Sequence, residues 1–179
     1  MSEEQYIDSS NLQFRAIEAK DYTLIKDFKC ENTSLENFLR NDAYYYKISK
    51  QASTNLVFYN DELVGFFTLK RAELSVSVDV SDIISPFSLD IARIAVSKNY
   101  QERGIGSAIL KKIIEIANIV NERFITLDAL IERYDWYVKR GFSNFIEDEI
   151  ESSNSDGLVY MYMDLFDESL LDAYFDEAI

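Results

Sequence analysis

Gly104 and Gly106 stand one residue apart in "NYQERGIGSAILKKII", residues 99–114, directly before what reads as the first turn of a helix. A glycine costs a helix about 1 kcal/mol against alanine, so the pair needs a reason. A buried strand, a tight glycine turn and a long helix aim several backbone N–H groups, and the positive end of the helix dipole, at one point. Such a point holds an anion, and the missing side chains let a phosphate come close to the backbone. Two phosphate motifs fail on spacing. A P-loop needs Lys-Ser/Thr after its second glycine, where this chain has Ser107-Ala108, and a dinucleotide fingerprint needs a third glycine where Ile109 stands. Taken alone, the spacing fits a plain turn with a close helix–strand contact equally well.

The rest of the chemistry is bounded by what is missing. The chain has no histidine and one cysteine, Cys30. That excludes an intramolecular disulfide, the usual zinc sites, and Ser-His-Asp or Cys-His catalysis, so no metal is expected. Acid–base work falls to Asp, Glu, Tyr, Lys or the backbone, and Cys30 reads as a buried apolar residue rather than a nucleophile.

The elements that must position these residues alternate along 179 residues, of which 47% are hydrophobic, enough for one sizeable core. Strands are expected at 12–17, in a hairpin of 55–59 and 63–70 joined by a three-residue turn "NDE", at 89–96, at 124–130 and at 158–165. Helices are expected over 34–48, opened by Thr33 and Glu36 in capping-box spacing, over 107–120, and over 132–140 with Gly141 as its stop. A last helix at 166–179 carries Phe166, Leu170, Tyr174, Leu171, Phe175 and Ala178 at i,i+4 spacing, a stripe expected to pack on its own domain. The stretch 72–88, with the only proline, Pro86, reads as irregular. The pattern is a single α/β domain with a mixed sheet.

The net charge of −14 is unevenly placed: no Lys or Arg follows Arg140, and residues 1–140 hold 18 bases against 21 acids. An acidic start, no apolar run long enough to span a bilayer and no secretory pattern lead us to expect a cytoplasmic chain with no membrane partner. The sequence pI near 4.4 argues against a nucleic-acid partner, which needs a broad basic footprint.

The residues "IARIAVSKNYQERGIGSAILKKII", with Gln101-Glu102-Arg103-Gly104-Ile105-Gly106 after a strand ending in Val96, resemble the central motif of the GNAT superfamily of acyl-CoA-dependent N-acetyltransferases. Trp136-Tyr137 ahead of Gly141-Phe142 is similar to that family's second hallmark. The resemblance implies residues 1–165 as the acetyltransferase domain, with 166–179 as an acidic amphipathic appendage. It also implies a mostly antiparallel mixed sheet that splays at its central strands, flanked by helices, and acetyl-CoA as cofactor. In that picture the backbone of Ile94, Ala95 and Val96 pairs with the pantetheine arm, and the amide near Ile94 polarises the thioester. The motif from Gln101, with amides from Glu102 through Arg103, Gly104, Ile105 and Gly106 to Ser107, holds the pyrophosphate. Arg103, Lys98 or Lys139 would meet the adenosine phosphate. Leu130 and Arg133 depart from the Asn and Ala that the family often has there, which leaves the thiol end least specified.

Acetyl transfer to an amine needs a neutral amine, a stabilised oxyanion and a proton for the thiolate. An alkyl ammonium with pKa ~10.4 is neutral in only about one molecule in ~10³ near pH 7. Asp90 lies six residues before Val96, where the histone-acetylating branch of the family has a basic glutamate, so the resemblance implies it as general base, with Glu73 and Asp128 as alternates. Tyr137 is implied as proton donor to the leaving thiolate. Full transfer from a phenol near ~10 to a thiolate near ~8.5 is downhill only if the site lowers the first or raises the second.

Three functions follow as expectations. A small-molecule or protein amine is the favoured acceptor, with the acidic tail attracting cationic ones. Phe28, Cys30, Leu35, Phe38 and Leu39 also resemble the toxin branch of the family, which acetylates aminoacyl-tRNA. The third is a non-catalytic binding module that acts through the last helix, as a homodimer or with a partner helix.

Overall fold

The computed structural model describes residues 6–74, 87–144 and 157–177. Seven strands form one sheet in the order β1-β2-β3-β4-β5-β7-β6: β1 Leu12–Ala16, β2 Ser53–Tyr59, β3 Glu62–Glu73, β4 Phe87–Val96, β5 Phe124–Leu130, β6 Ser143–Asn144 and β7 Leu158–Asp164. Six α-helices are described: α1 Tyr22–Ile25, α2 Thr33–Asn41, α3 Ala43–Ile48, α4 Ile105–Ile119, α5 Tyr134–Val138 and α6 Glu168–Glu177. Short 3-10 turns occur at Ser9–Asn11, Ala19–Asp21, Lys98–Tyr100 and Ile131–Arg133. The sheet is mixed and mostly antiparallel, and β4 with β5 is the parallel pair among the described residues.

Side-chain alternation sends the sheet's apolar residues to two separate cores. On one face Val57, Phe67, Leu69, Ile91, Ile125, Leu127 and Ala129 pack with Ile105, Ile109 and Ile113 of α4 and with Tyr137 of α5. On the other face Leu56, Phe58, Phe66 and Ala95 pack with Ile25, Phe28, Cys30, Phe38, Leu39 and Ala43 of the α1–α3 layer. Phe28, Cys30, Phe38 and Leu39 of the five residues that resemble the toxin branch are therefore buried, with Leu35 partly buried against them, and mount that layer on β2, β3 and β4.

Several local expectations are corrected. The 34–48 helix divides at Asp42 (φ −115°, ψ −32°), and the turn lets Tyr46 of α3 meet Phe38 of α2 edge to face at 5.6 Å. The cap of α2 is Asn32, whose Oδ1 accepts from the amides of Ser34 and Leu35. Glu36 does not reach back to the cap. It accepts from Lys29 Nζ at 2.8 Å and the Cys30 amide at 3.1 Å, and these bonds hold its carboxyl below the usual range. The hairpin turn is two residues, Asn60 and Asp61 at φ 49° and 64°, because Glu62 already pairs with Tyr59. Helix α4 starts at Ile105, two residues before the expected start. The stripe on α6 does not pack on the domain: Phe166, Leu170, Leu171, Tyr174 and Phe175 are all exposed. Of the stretch 72–88, β3 takes the first residues and β4 the last, and 75–86 lie outside the described residues.

Candidate active site

The opening of the sheet begins at Asp90. Strands β4 and β5 are paired only at Leu89–Ile125 and Asp90–Thr126, whereas β4 stays registered with β3 as far as Val96–Gly65 and β5 with β7 as far as Leu130–Leu158. Beyond the Asp90 rung, Ile91–Val96 and Leu127–Leu130 face each other without ladder bonds, over about 20 Å of extended chain. A slot between two strand edges accepts an extended chain with its own N–H and C=O groups. Opposite Thr68 and Leu69 the register slips and leaves Ala92 without a partner on β3, a bulge that turns the backbone just past the vertex.

At the vertex, Ser88 Oγ lies 2.8 Å from Thr126 Oγ1, which donates to Asp90 Oδ1 at 3.1 Å, and Lys70 Nζ stands 3.6 Å from Asp90 Oδ2. Asp90 is only 8% exposed. Burial pushes its carboxyl above the ordinary carboxylate range, against the pull of the Lys70 ammonium and the Thr126 hydrogen bond, while Asp128 adds to the rise. Such a carboxylate has gained basicity without losing its charge partner. Asp128 follows Thr126 by two residues on the same face of β5 and is exposed. Glu73, at the far end of β3 opposite Phe87, is not part of the vertex.

Tyr137 comes from the opposite face. Its helix α5 follows β5, and its ring packs edge to face on Trp136 at 4.9 Å and on Phe142 at 5.5 Å, 8% exposed. Among the described residues its hydroxyl has no hydrogen-bond partner, and burial pushes the phenol up to about 12 against the opposing charges of Arg133 and Arg140. Of the two conditions for a downhill full transfer, a lowered phenol pKa is therefore not met in the free protein. A phenol held near 12 keeps its proton at neutral pH and has a hydrogen to donate to an anion. Asp90 and Tyr137 thus lie on opposite faces of the sheet, Asp90 at the rung where β4 and β5 part.

The cradle lies beyond the open end of β4. Glu102 (φ 59°) and Gly104 (φ 89°) are both left-handed, a backbone alternation that turns successive N–H groups inward. The first bond of α4 runs from the Ala108 amide to the Gly104 carbonyl at 3.1 Å, so the amides of Ile105, Gly106 and Ser107 have no acceptor within the helix. The two glycines serve different needs. Gly104 requires its φ, and a Cβ there would fall 2.3 Å from Cε2 of Tyr6, whose ring covers the turn while the Ile7 amide donates to the Arg103 carbonyl at 2.9 Å. A Cβ on Gly106 would fall 3.1 Å from Cζ2 of Trp136, so its bareness admits α5 rather than a ligand, while its amide remains at the cradle.

Arg140 is a residue that sequence reasoning missed. It lies on the Trp136 ring at 3.7 Å, donates from Nε and Nη2 to Ser107 Oγ at 3.1 and 2.8 Å, and from Nη1 to the Trp136 carbonyl at 2.9 Å. It thus ties the first turn of α4 to the helix that carries Tyr137. The signal was available in the i,i+4 spacing of Trp136 and Arg140. Of the cations singled out for the adenosine phosphate, Arg103 lies over the Tyr100 ring at 4.9 Å, and Lys98 and Lys139 are exposed. Tyr6, Lys70 and Thr126 were also missed, since each is brought in by strand register or chain crossing. Cys30 is buried, its Sγ 3.3 Å from the Asn32 carbonyl, and burial pushes its thiol up, as fits an inert core residue.

A strand pair that splays beyond Asp90, helix amides without acceptors at the start of α4 and a carboxylate at the vertex are what the acyl-CoA-dependent acyltransferase resemblance led us to expect. Residues 17–165 match the family described as an acetyltransferase (GNAT) domain, and the chain belongs to that family of acetyl-CoA-dependent N-acetyltransferases. No curated protein sequence matches it significantly. Among solved structures it is similar to one described as a bacterial toxin, with 19% identity, TM-score 0.71, and coverage of 91% of this chain and 94% of that one. It is also similar to AtaTR bound with AcCoA, at 15% identity and TM-score 0.68 over 87% and 94% of the two chains. A third is AtaT complexed with acetyl-methionyl-tRNAfMet, at 15% identity and TM-score 0.67 over 92% and 99%. No described helix is long and apolar enough to cross a membrane.

Proposed function

We propose that this acetyltransferase carries the acetyl group of acetyl-CoA to the α-amino group of an aminoacyl-tRNA. The observation that carries the choice of acceptor is the placement of cations on the face from which Asp90 is reached. Lys70 stands beside Asp90, and Arg93, over the Phe38 ring at 5.0 Å, is exposed on the same side. The likeness to AtaT with its acylated tRNA, over 92% of this chain, supports the same reading. The net charge of −14 argues against a polyanion less strongly than its size suggests, because residues 1–140 hold 18 bases against 21 acids, and four of the later acids belong to helix α6.

In this reading the edge of Ile94, Ala95 and Val96 holds the pantetheine arm, and the amides of Ile105, Gly106 and Ser107 in the first turn of α4, with the loop from Gln101 through Glu102, Arg103 and Gly104 that leads into it, hold the pyrophosphate. Bound acetyl-CoA supplies the activated acetyl group. Asp90 takes a proton from the incoming ammonium. An α-amino group with pKa ~7.7–8.0 is already neutral in roughly a tenth or more of molecules at pH 7, so the demand on Asp90 is far lighter than for a lysine side chain. Asp90 passes that first proton on to solvent; as the N–C bond forms and the C–S bond breaks, nitrogen loses a second proton and the departing sulfur gains one, so that CoA leaves as the thiol. Tyr137 stabilises the departing sulfur by hydrogen bonding while keeping its own proton.

A second reading, a small-molecule or protein amine as acceptor, is favoured by the net charge itself, since cationic amines are drawn to an acidic protein. Radiolabelled acetyl-CoA supplied with aminoacylated tRNA, uncharged tRNA, a polyamine and a lysine-rich peptide separates the two. Label that enters only the aminoacylated tRNA, and leaves with the amino acid on mild ester hydrolysis, supports the proposal. Label in the polyamine or peptide alone overturns it in favour of the second reading.

A further inference from the structure

Helix α6 is held at its root and free along its length. The Arg123 guanidinium binds Asp164 at 2.9 and 2.7 Å and lies over the Phe166 ring at 4.7 Å, and the Leu165 amide donates to the Arg123 carbonyl at 2.9 Å. Asp167 starts the helix by accepting from the Ser169 amide at 3.0 Å. Beyond that point every described side chain is exposed, including Leu170 and Tyr174 at 69% each. At 100° per residue, Leu170, Leu171, Tyr174 and Phe175 fall within an arc of roughly 140°, with Glu168 along one edge and Asp172 and Asp176 continuing that acidic row toward the back of the helix. A helix of 10 residues is marginal in water by itself, because most helical stability comes from burying such a face.

Three occupants compete for that face, and charge decides between them. A second copy of α6 would set two all-acidic borders side by side, since no Lys or Arg follows Arg140. An anionic lipid surface would repel the same acids. A partner helix with an apolar stripe bordered by Lys and Arg satisfies both the stripe and the border. We propose that α6 is the docking element for a cationic amphipathic helix of another protein. The site is separate from the acetyl-transfer slot and independent of which amine that slot accepts.

The test uses the full chain and a synthetic Leu/Lys peptide patterned as an amphipathic helix, with a Leu/Glu counterpart and a shuffled Leu/Lys peptide as controls. Fluorescence anisotropy should report saturable binding of the patterned Leu/Lys peptide alone, with a gain of helical circular dichroism. Two variants, Leu170→Ser with Tyr174→Ser, and Glu168→Gln with Asp172→Asn and Asp176→Asn, should each weaken it at least ~10-fold while acetyl-CoA binding is unchanged. Absence of binding, equal binding of the shuffled peptide, or binding that survives the Leu170/Tyr174 change overturns the proposal. So does sedimentation showing a dimer of the chain that the same change dissolves, which would assign the face to a second copy. Binding to phosphatidylcholine vesicles in place of the peptide would assign it to a membrane.

Discussion

Replacing Gly104 with alanine strikes the cradle through two separable effects. The residue sits at φ 89°, and an L side chain in the left-handed region costs roughly 1–2 kcal/mol. The added Cβ would also lie 2.3 Å from Tyr6 Cε2 and 2.7 Å from its Cζ, against a normal carbon separation of about 3.5–4.0 Å. Tyr6 is 70% exposed and can swing outward, so this second effect amounts to the loss of one ring contact, about 0.5 kcal/mol. The single variant should therefore lose about 1.5–2.5 kcal/mol in urea unfolding at unchanged m-value. In a Tyr6→Ala background the overlap is gone, and the same substitution should cost only the backbone share, about 1–2 kcal/mol. Because the strain falls on the turn that aims the amides of Ile105, Gly106 and Ser107, calorimetric titration should show weaker acetyl-CoA binding in both backgrounds. A Gly104→Ala protein with wild-type stability and wild-type acetyl-CoA affinity would refute both the left-handed turn and the cradle built on it.

Other outcomes follow from the vertex and from α5. Tyr137→Phe should lower kcat by about 10²-fold or more with acetyl-CoA affinity kept; it should not destabilise the fold, since the lost hydroxyl makes no hydrogen bond among the described residues. With the phenol up near 12, no alkaline loss of rate below that pH belongs to Tyr137 in the free enzyme. Thr126→Val removes a hydrogen bond that lowers the Asp90 pKa, so the acid limb of kcat/KM, where the base becomes protonated, should move to higher pH. The same raised pKa means that the folded chain binds this proton more tightly than the unfolded one, so the Asp90 contribution to stability falls as pH rises through it. Asp90→Asn should flatten that slope in pH-dependent unfolding. Arg140→Lys keeps the charge but loses the fork to Ser107 and Trp136, and should raise the KM for acetyl-CoA more than it lowers kcat.

The order of strands and helices was legible because periodicity is local: the alternation of 124–130 and the apolar stripe of 105–119 are written in adjacent residues. What escaped the sequence depends on which groups meet across the fold. Asn32 outcompetes Thr33 as a cap because Glu36 is claimed by Lys29 and the Cys30 amide. The reason for Gly106 lies 30 residues downstream in Trp136, and the partner of Asp90 is set by a β3–β4 register with a bulge that no local pattern marks. For α6 the stripe was legible, but amphipathicity says that a face must be covered without saying by whom.

The central claim is that the gap between β4 and β5 takes the arm of acetyl-CoA as if it were another strand, with its phosphates on the first turn of α4. Amide hydrogen exchange of the full chain with and without acetyl-CoA reads both places at once. The account predicts added protection at amides within Ile91–Val96 and at Ile105, Gly106 and Ser107, with little change in β1 and β2. Saturating acetyl-CoA that leaves those amides exchanging as before, or protects only the edge strands, would contradict it.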